Sequence, residues 1–450
     1  MLVAEFDVIV VGGGPAGLNA ALSAASAGLR VALFDENTPP HPKLADRTIT
    51  NFFAHVVWSV TGDYRVDAIG PRGPVHCTAR ALIVASGATE RIVPFEGWTM
   101  PGVINLTTAA KLLASQGHLP GASPLVVGCG PLLAAVAART IEGGGKVAAI
   151  VDLADAAEWS GALLAIAGQR DLLAQKRQWR RTIRQAGTPR YGRSTIVRVE
   201  PAGEGLRATL ARCDAAGRPI DMTHTTIDAD CIVVGHGFTP ATEITALLRA
   251  RHGYSPAAGG WIALADEDGR TSRGSLYVAG DAAGIAGSAA AAAHGTLVGL
   301  TCARDLGASD LPQLKRRIGS ARRRHRRRAG FGRAIANLTA LRSAQVESIS
   351  PETIICRCEE VRRAEIDAAC DNGAHDMNQL KAWTRCGMGL CQGRMCGDVA
   401  AALLMHRMGA PSRETVGWFT ARTPLRPIMV EALTGEFKYE DIAIPDAAPL

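Results

Sequence analysis

A short β-branched run, Phe6-Asp7-Val8-Ile9-Val10-Val11, passes directly into Gly12-Gly13-Gly14-Pro15-Ala16-Gly17, and this junction constrains the chain more than any other feature. Gly12, Gly14 and Gly17 have the spacing G-x-G-x-x-G. An Ala-rich helical stretch from Leu18 to Ala27 follows, Gly28 stops it, and a second strand, Val31-Ala32-Leu33-Phe34, ends at Asp35-Glu36. Each part has a physical task. The first glycine makes the tight turn, the second lets the backbone approach a pyrophosphate, and the third lets helix and strand pack closely. Pro15 and Ala16 open the helix, whose free N–H groups face the phosphates. An acid about 20 residues on takes the ribose hydroxyls. Asp35 and Glu36 both qualify, and spacing does not choose between them.

The rest of the chain is consistent with this α/β beginning. Its 450 residues suggest about three domains. Hydrophobic residues make up 47% and charged residues 20%, which supports packed cores and excludes global disorder. Gly is abundant at 49 and aromatics are few at 5%, which suits strand–turn–helix units better than a β-sandwich. No apolar run reaches the ~18–20 residues of a membrane span. A strand starting at Phe6 leaves no room for a secretory signal. The expected location is cytoplasmic, with peripheral membrane attachment through a partner left open. Net charge is +7, and no nucleic-acid-binding signature accompanies it. Much of the excess sits in Arg322-Arg323-Arg324-His325-Arg326-Arg327-Arg328, read either as a contact for an anion or acidic partner, or as a solvated helix face or linker.

A second strand–turn–helix unit begins at Pro124-Leu125-Val126-Val127-Gly128-Cys129-Gly130-Pro131. Its partner strand, Lys146 to Val151, ends at Asp152. Leu133 stands where the third glycine belongs, so this half has the fold signal without the full fingerprint. Gly128 and Gly130 would line a second nucleotide, NAD(P) or ATP; the alternative is an inherited fold half with no hydride role. Cys231 to Phe238 reads as the closing strand and a crossover, with His236 either touching a cofactor or sitting in a loop. Neither half has a C-x-x-C beside the expected flavin, which argues against a disulfide-reductase mechanism.

Six of the 11 cysteines fall between Cys356 and Cys396. Four of them, Cys356-x-Cys358 and Cys391-x4-Cys396, come from two tight loops and suit a [2Fe–2S] rhomb with two thiolates per iron. Cys-x-Cys is too tight for a usual zinc knuckle. Glycines around Cys391 let backbone N–H groups turn toward the sulfurs. Cys386 reads either as a spare thiol, the favoured reading, or as an alternative ligand, and Cys370 as a small buried hydrophobe.

The late segment Ser275 to Ala283, a strand running into Gly280-Asp281, resembles the two-dinucleotide-binding-domain flavoproteins, as does Ala85-Ser86-Gly87-Ala88-Thr89-Glu90-Arg91. That resemblance implies that Gly87, Gly280 and Asp281 contact FAD. The cysteine segment resembles the bacterioferritin-associated-ferredoxin-like [2Fe–2S] domain. The whole chain resembles the α (or A) subunit of heteromeric dye-linked dehydrogenases, a family that includes opine oxidases, D-hydroxyproline and proline dehydrogenases, and hydrogen cyanide synthase. Gly87 to Trp98, Cys356 to Glu360, Thr384 to Arg394 and the tail Arg422-Thr423-Pro424-Leu425-Arg426-Pro427 carry the match.

The resemblance implies two Rossmann-like domains, with FAD bound by residues 1–105 and 240–310 and an NAD(P)-binding-like unit at 106–239. A basic linker or helix at 311–350 and a small helical [2Fe–2S] domain with the tail at 351–450 complete the expected division. It implies a protein that relays electrons for a flavoprotein β partner carrying the amine-oxidising site; a small ferredoxin-like γ subunit is a further expected partner. A stand-alone NAD(P)H-dependent reductase and a non-redox assembly scaffold are the alternatives. The chain departs from the family pattern twice. The stretch Asn37 to Asn51 is short and reads Thr38-Pro39-Pro40-His41-Pro42-Lys43-Leu44 where the family has a Gly-Gly-Gln-type loop, and Cys386 replaces a small non-thiol residue.

Overall fold

The computed structural model describes residues 3–38, 48–164, 170–308 and 311–430. The stretch Pro39 to Leu44 and residues 431–450 of the last expected domain lie outside the described residues.

The chain opens with β1 (Val3–Val11), α1 (Pro15–Ala25), β2 (Val31–Asp35) and β3 (Ile49–Phe53). A meander follows: β4 (Val56–Val60), β5 (Arg65–Gly70) and the long β6 (Gly73–Val84), which returns to lie parallel to β1 with Val11 opposite Val84. The sheet order is β3-β2-β1-β6-β5-β4. Val8, Ile9 and Val10 of β1 are all inaccessible to solvent, as expected of a parallel strand covered on both faces. The short β7 (Ala88–Glu90) leads out of this unit.

The second unit contains β8 (Val103–Asn105), α2 (Leu106–Lys111), β9 (Leu125–Cys129), α3 (Pro131–Glu142), β10 (Ala149–Asp152), α4 (Ala156–Leu164), α5 (Arg170–Gln185) and β11 (Arg190–Gly192). An antiparallel meander of β12 (Ser194–Ala202), β13 (Gly205–Arg212) and β14 (Thr225–Ala229) precedes the closing strand β15 (Ile232–His236). The parallel sheet runs β11-β10-β9-β15-β8. The expected boundary at residue 105 puts β8 in the first unit, but β8 pairs with β15, Val103 opposite Ile232, and extends the second sheet.

The chain returns through β16 (Phe238–Pro240), antiparallel to β7, then α6 (Glu243–Leu247), β17 (His252–Ser255), β18 (Gly260–Ala263) and β19 (Leu276–Val278). β19 adds beside the end of β6, with Val278 opposite Val84. Next comes α7 (Ser288–Asp305), which lies backbone-to-backbone on α1. A Cβ on Gly295 would stand 1.9 Å from the Ala16 carbonyl oxygen, and one on Gly299 would stand 2.3 Å from that of Ala20.

The basic segment is α8 (Leu311–Leu338), a 28-residue helix rather than a linker. Leu314, Ile318 and Ala321 bury against Leu297 and Leu300 of α7. Its arginines pair within the chain: Arg322 with Asp268 (2.7 Å), Arg326 with Glu267 (2.5 Å) and Arg328 with Asp171 (2.6 Å). The acids that face this run therefore include ones from the chain itself.

The last unit has α9 (Ser343–Glu347), a small hairpin of β20 (Ile354–Cys356) and β21 (Val361–Arg362), then α10 (Arg363–Asp371), α11 (Met377–Thr384), α12 (Gly397–Met408) and α13 (Arg413–Val416). Its own core includes Ile366, Met377, Leu380, Val399 and Leu404, with Cys370 among them. The tail then crosses to the first unit. Leu425 enters that unit's core beside Phe34 and Leu276, and its N–H donates to the Trp58 carbonyl (2.7 Å).

Candidate redox site: a dinucleotide cradle and a cysteine cluster

The first glycine turn is sterically obligatory. Gly12 has φ +106°, and a Cβ there would lie 2.1 Å from the Ala85 carbonyl oxygen. A Cβ on Gly17 would lie 1.7 Å from the Gly12 carbonyl oxygen. Gly14, the N-cap of α1 ahead of Pro15, has open space where its Cβ would be. That open side would leave room for a pyrophosphate at the helix N-terminus. The structure also separates the two adjacent acids. Asp35 Oδ2 accepts from Gly13 N–H (2.5 Å) and Oδ1 accepts from Asn37 N–H (2.7 Å), which holds Asp35 at the turn. Glu36 is half exposed and lies 3.6 Å from Arg426 of the tail.

Gly280-Asp281 sits against the same cradle. Gly280 (φ +68°) would bring a Cβ within 2.5 Å of Ala16 Cβ, so only glycine lets this segment meet α1. Its N–H donates to His294 Nδ1 (3.1 Å). Asp281 Oδ1 accepts from Ala286 N–H (2.8 Å) and Gly287 N–H (3.1 Å), while burial pushes its carboxyl above the usual range. Gly87 (φ +72°) has open space in place of a side chain, and its carbonyl accepts from Ala241 N–H (3.0 Å) at the crossover.

In the second unit the two glycines have different tasks. A Cβ on Gly128 would stand 1.6 Å from the Gly235 carbonyl oxygen, so Gly128 serves strand packing. Gly130 lines a cavity of about 710 Å³ together with Asp152, Trp159, Lys176, Arg190 and Arg328. Asp152 is committed to Trp159 Nε1–H (2.7 Å) and Ala154 N–H (3.0 Å), and burial raises it to about 6. Burial lowers Lys176 to about 8. His236 is neither a loop residue nor a part of this cavity. It ends β15, fully buried, where Nδ1 accepts from Val93 N–H (3.2 Å) and desolvation lowers it to about 4.

The cysteine site is built from the β20–β21 hairpin and the loop between α11 and α12. Gly389 crosses directly over Cys358, with only 2.1 Å between its would-be Cβ and Cys358 Cβ. Phe419 covers Gly387 and Gly393, leaving no room for a side chain at either. Cys396 is the N-cap of α12, where the helix dipole favours negative charge. The sulfurs of Cys356, Cys386 and Cys396 lie within 4.8 Å of one another. Cys391 stands beside both Cys396 and Cys358. Cys356 and Cys391 are held below the usual thiol range by the thiols beside them. Cys386, read from sequence as a spare thiol or an alternative ligand, is completely buried inside this group. Cys358 is exposed. Among the described residues the buried, soft donor set fits a [2Fe–2S] centre.

The two sites share one body. Arg91, just beyond the Gly87 crossover, donates through Nε to Asp398 (2.6 Å), two residues past Cys396. Its other two nitrogens donate to the Thr339 (3.0 Å) and Gly259 (2.7 Å) carbonyls. Arg413 donates to the Asp398 carbonyl (2.7 Å).

Residues 6–296 match the pyridine nucleotide-disulphide oxidoreductase model. The chain belongs to that family. Residues 354–406 match the BFD-like [2Fe-2S] binding domain, so this pyridine nucleotide-disulphide oxidoreductase pairs an FAD-type fold with an iron–sulfur module. It is 30% identical to the opine oxidase A-subunit of Rhizobium meliloti, over 95% of this chain and 87% of that one. It is 29% identical to hydrogen cyanide synthase subunit HcnB of Pseudomonas aeruginosa, over 94% and 97%. The L-proline dehydrogenase structure from P. horikoshii shares the fold, with TM-score 0.69 at 19% identity, covering 97% of this chain and 81% of that chain. Among the described residues no two cysteines are joined, and all eleven are free. Burial pushes Cys77 and Cys213 up to about 11, Cys231 up to about 12, and Cys129 well above its ordinary value, the opposite of what a redox thiol requires.

The sequence signals missed the α7–α1 contact, although Gly295-x-x-x-Gly299 is a readable small-residue spacing. They missed Asp398, which no local motif marks.

Proposed function

We propose that this chain is the electron-transfer subunit of a multi-subunit dehydrogenase or oxidase acting on the CH–NH bond of an amino acid or opine. The observation that carries the reading is the joining of a flavin-type cradle and a thiol cluster through the buried Arg91–Asp398 contact. FAD accepts an electron pair and releases electrons singly, and a [2Fe–2S] cluster takes one at a time, so the two together divide a pair. The residues of this chain hold and orient. Gly12, Gly14, Pro15, Ala16 and Gly17 present backbone to the pyrophosphate, Asp35 takes the ribose, and Gly87, Gly280 and Asp281 close the flavin side. Cys356, Cys358, Cys391 and Cys396 ligate the cluster.

The amine-oxidising site belongs to a flavoprotein β partner, a reading supported by relatives that are themselves named as single subunits of opine oxidase and hydrogen cyanide synthase. A small ferredoxin-like γ subunit is a further candidate partner. Among the described residues no helix is long and apolar enough to cross a membrane. We place the complex in the cytoplasm, with any membrane attachment made through partners.

The 710 Å³ cavity favours a second nucleotide, NAD(P) or ATP, bound with its phosphates toward Lys176 and Arg190. On that observation the alternative reading is an NAD(P)H-dependent reductase. The deciding experiment mixes the chain anaerobically with NADH, and separately with its β partner and a panel of opines and secondary amino acids. Bleaching of the flavin by amine only when the partner is present is expected. Rapid bleaching by NADH alone would establish the alternative, and a colourless, flavin-free protein would point to a scaffold.

A further inference from the structure

A [2Fe–2S] centre takes four protein sulfurs, because each iron is tetrahedral and already holds two bridging sulfides. This unit gathers five. Cys358, Cys391, Cys396 and Cys356 neighbour one another in that order, and the Cys386 sulfur lies within 4.8 Å of those of Cys356 and Cys396. The row has an outer and an inner end: Cys358 is exposed and Cys391 partly buried, whereas Cys356 and Cys396 are at most 2% exposed. The fifth thiol is at the inner end, at 0% exposure.

Cys386 lies in a turn between helices and not within one. Arg385, in the left-handed conformation at φ +65°, ends α11 immediately before it, and Gly387 at φ +87° follows. The Cys386 N–H donates to Thr384 Oγ1 (3.1 Å), a local turn contact. A small shift of this turn moves the sulfur without unwinding a helix.

We propose that Cys386 is a reserve ligand for the buried iron. With Cys356, Cys358, Cys391 and Cys396 coordinated, the ligand set proposed above and the one on which this inference rests, the Cys386 thiol would lie against the sulfurs of Cys356 and Cys396 and donate its one proton to one of them. When either of these is removed, Cys386 takes the vacant position. Its thiol proton leaves to solvent as the iron–sulfur bond forms, and no electrons are exchanged. Cys386 serves only the inner iron, because its thiol neighbours are Cys356 and Cys396.

The test uses the full chain and measures iron, sulfide and flavin per chain, together with the EPR spectrum and the cluster midpoint potential. Wild-type iron and sulfide content checks the underlying cluster separately. Cys386→Ala should keep full iron and show a lower midpoint potential, since hydrogen bonds to cluster sulfurs raise it. Cys356→Ala should keep a cluster with an altered EPR spectrum, and Cys356→Ala/Cys386→Ala should be iron-free with flavin retained. Cys358→Ala should behave the same with or without Cys386. Iron loss in Cys386→Ala alone would overturn the proposal by making Cys386 an ordinary ligand. Equal iron loss in Cys356→Ala and its double variant would overturn it too. Flavin content reports whether each variant has folded, and Cys396→Ala with its own double provides the same comparison should Cys356→Ala not fold.

Discussion

Arg91 and Asp398 are separated by 307 residues of chain and meet at 2.6 Å, both nearly devoid of solvent contact. One belongs to the crossover leaving the flavin-type unit, the other to the first turn of the helix that begins at Cys396. The guanidinium also holds two backbone carbonyls, so one side chain ties four segments together. A buried charge so paired is costly to break from one side: without Arg91, Asp398 keeps only the equally buried Arg413, 3.6 Å away.

Arg91→Ala should therefore destabilise the folded chain by about 3–5 kcal/mol. Arg91→Met/Asp398→Asn, which removes both charges of the pair but keeps a polar group facing the buried Arg413, should recover part of that loss. Denaturant unfolding of both variants is the measurement. A double variant less stable than the single would show that the pair is not the seat of the cost.

Gly17→Ala should fold poorly around the flavin, since its Cβ would stand 1.7 Å from the Gly12 carbonyl oxygen. Overpacking of this kind costs about 1–3 kcal/mol, which, if lost from the flavin-bound state, corresponds to a roughly 5- to 150-fold loss of FAD affinity. Gly14→Ala meets no protein atom within 4 Å. It should fold normally and lose affinity only through the approach of the pyrophosphate. Flavin titration of the two apoproteins distinguishes them.

The stability of the chain should depend on pH through Glu90. Burial raises this carboxyl to about 7, even though it accepts from Thr107 N–H (2.9 Å) and Oγ1–H (2.6 Å). The folded chain thus keeps a proton that the unfolded chain releases above about 4.5, and its contribution to stability falls as pH rises through 7. Glu90→Gln keeps an acceptor without the charge. Its stability relative to wild type should improve between pH 5 and 8, by roughly 1.4 kcal/mol for each tenfold difference in proton affinity that the substitution relieves. His236 acts in the other direction: lowered to about 4, it should cost stability as pH falls from about 6.5 through 4. A pH-independent difference between Glu90→Gln and wild type in urea unfolding would contradict this account.

Phe419→Ala should open the cysteine site. Phe419 is 8% exposed and stands over Gly387 and Gly393. Truncating a buried Phe costs about 3–5 kcal/mol, and here the cavity lies above the thiol loop. Iron should be released to a chelator several times faster than from wild type. An unchanged rate would assign Phe419 to packing alone.

Lys176→Ala should weaken nucleotide binding to the middle cavity about tenfold, near 1.4 kcal/mol. Because burial lowers Lys176 to about 8, binding should already decline in the wild type as pH passes that value. Calorimetric titration with ATP and with NADH, at pH 7 and 9, checks both statements. Identical affinities in wild type and variant would remove Lys176 from the site.

Where a local backbone requirement creates a motif, the amino-acid order alone reveals it. Gly12, Gly14 and Gly17 between a β-branched strand and an Ala-rich helix, Gly280-Asp281 after its strand, and two tight cysteine loops all state short-range conditions on φ and on close approach. These conditions sufficed to identify two nucleotide-type units and an iron–sulfur module. What depends on long-range convergence was not legible. Asp35 and Glu36 are adjacent, and successive residues at a strand end point to opposite sides, so only the folded position shows that Asp35 faces Gly13. Cys386 looks unattached in the chain because its partners arrive from a hairpin 30 residues earlier and a helix start 10 residues later. The arginine run has the composition of a solvated segment, yet acids from a distant loop and from the start of α5 receive it. Arg91 and Asp398 carry no mark of each other at all: a buried ion pair is a property of two surfaces brought together, and only packing can bring them there.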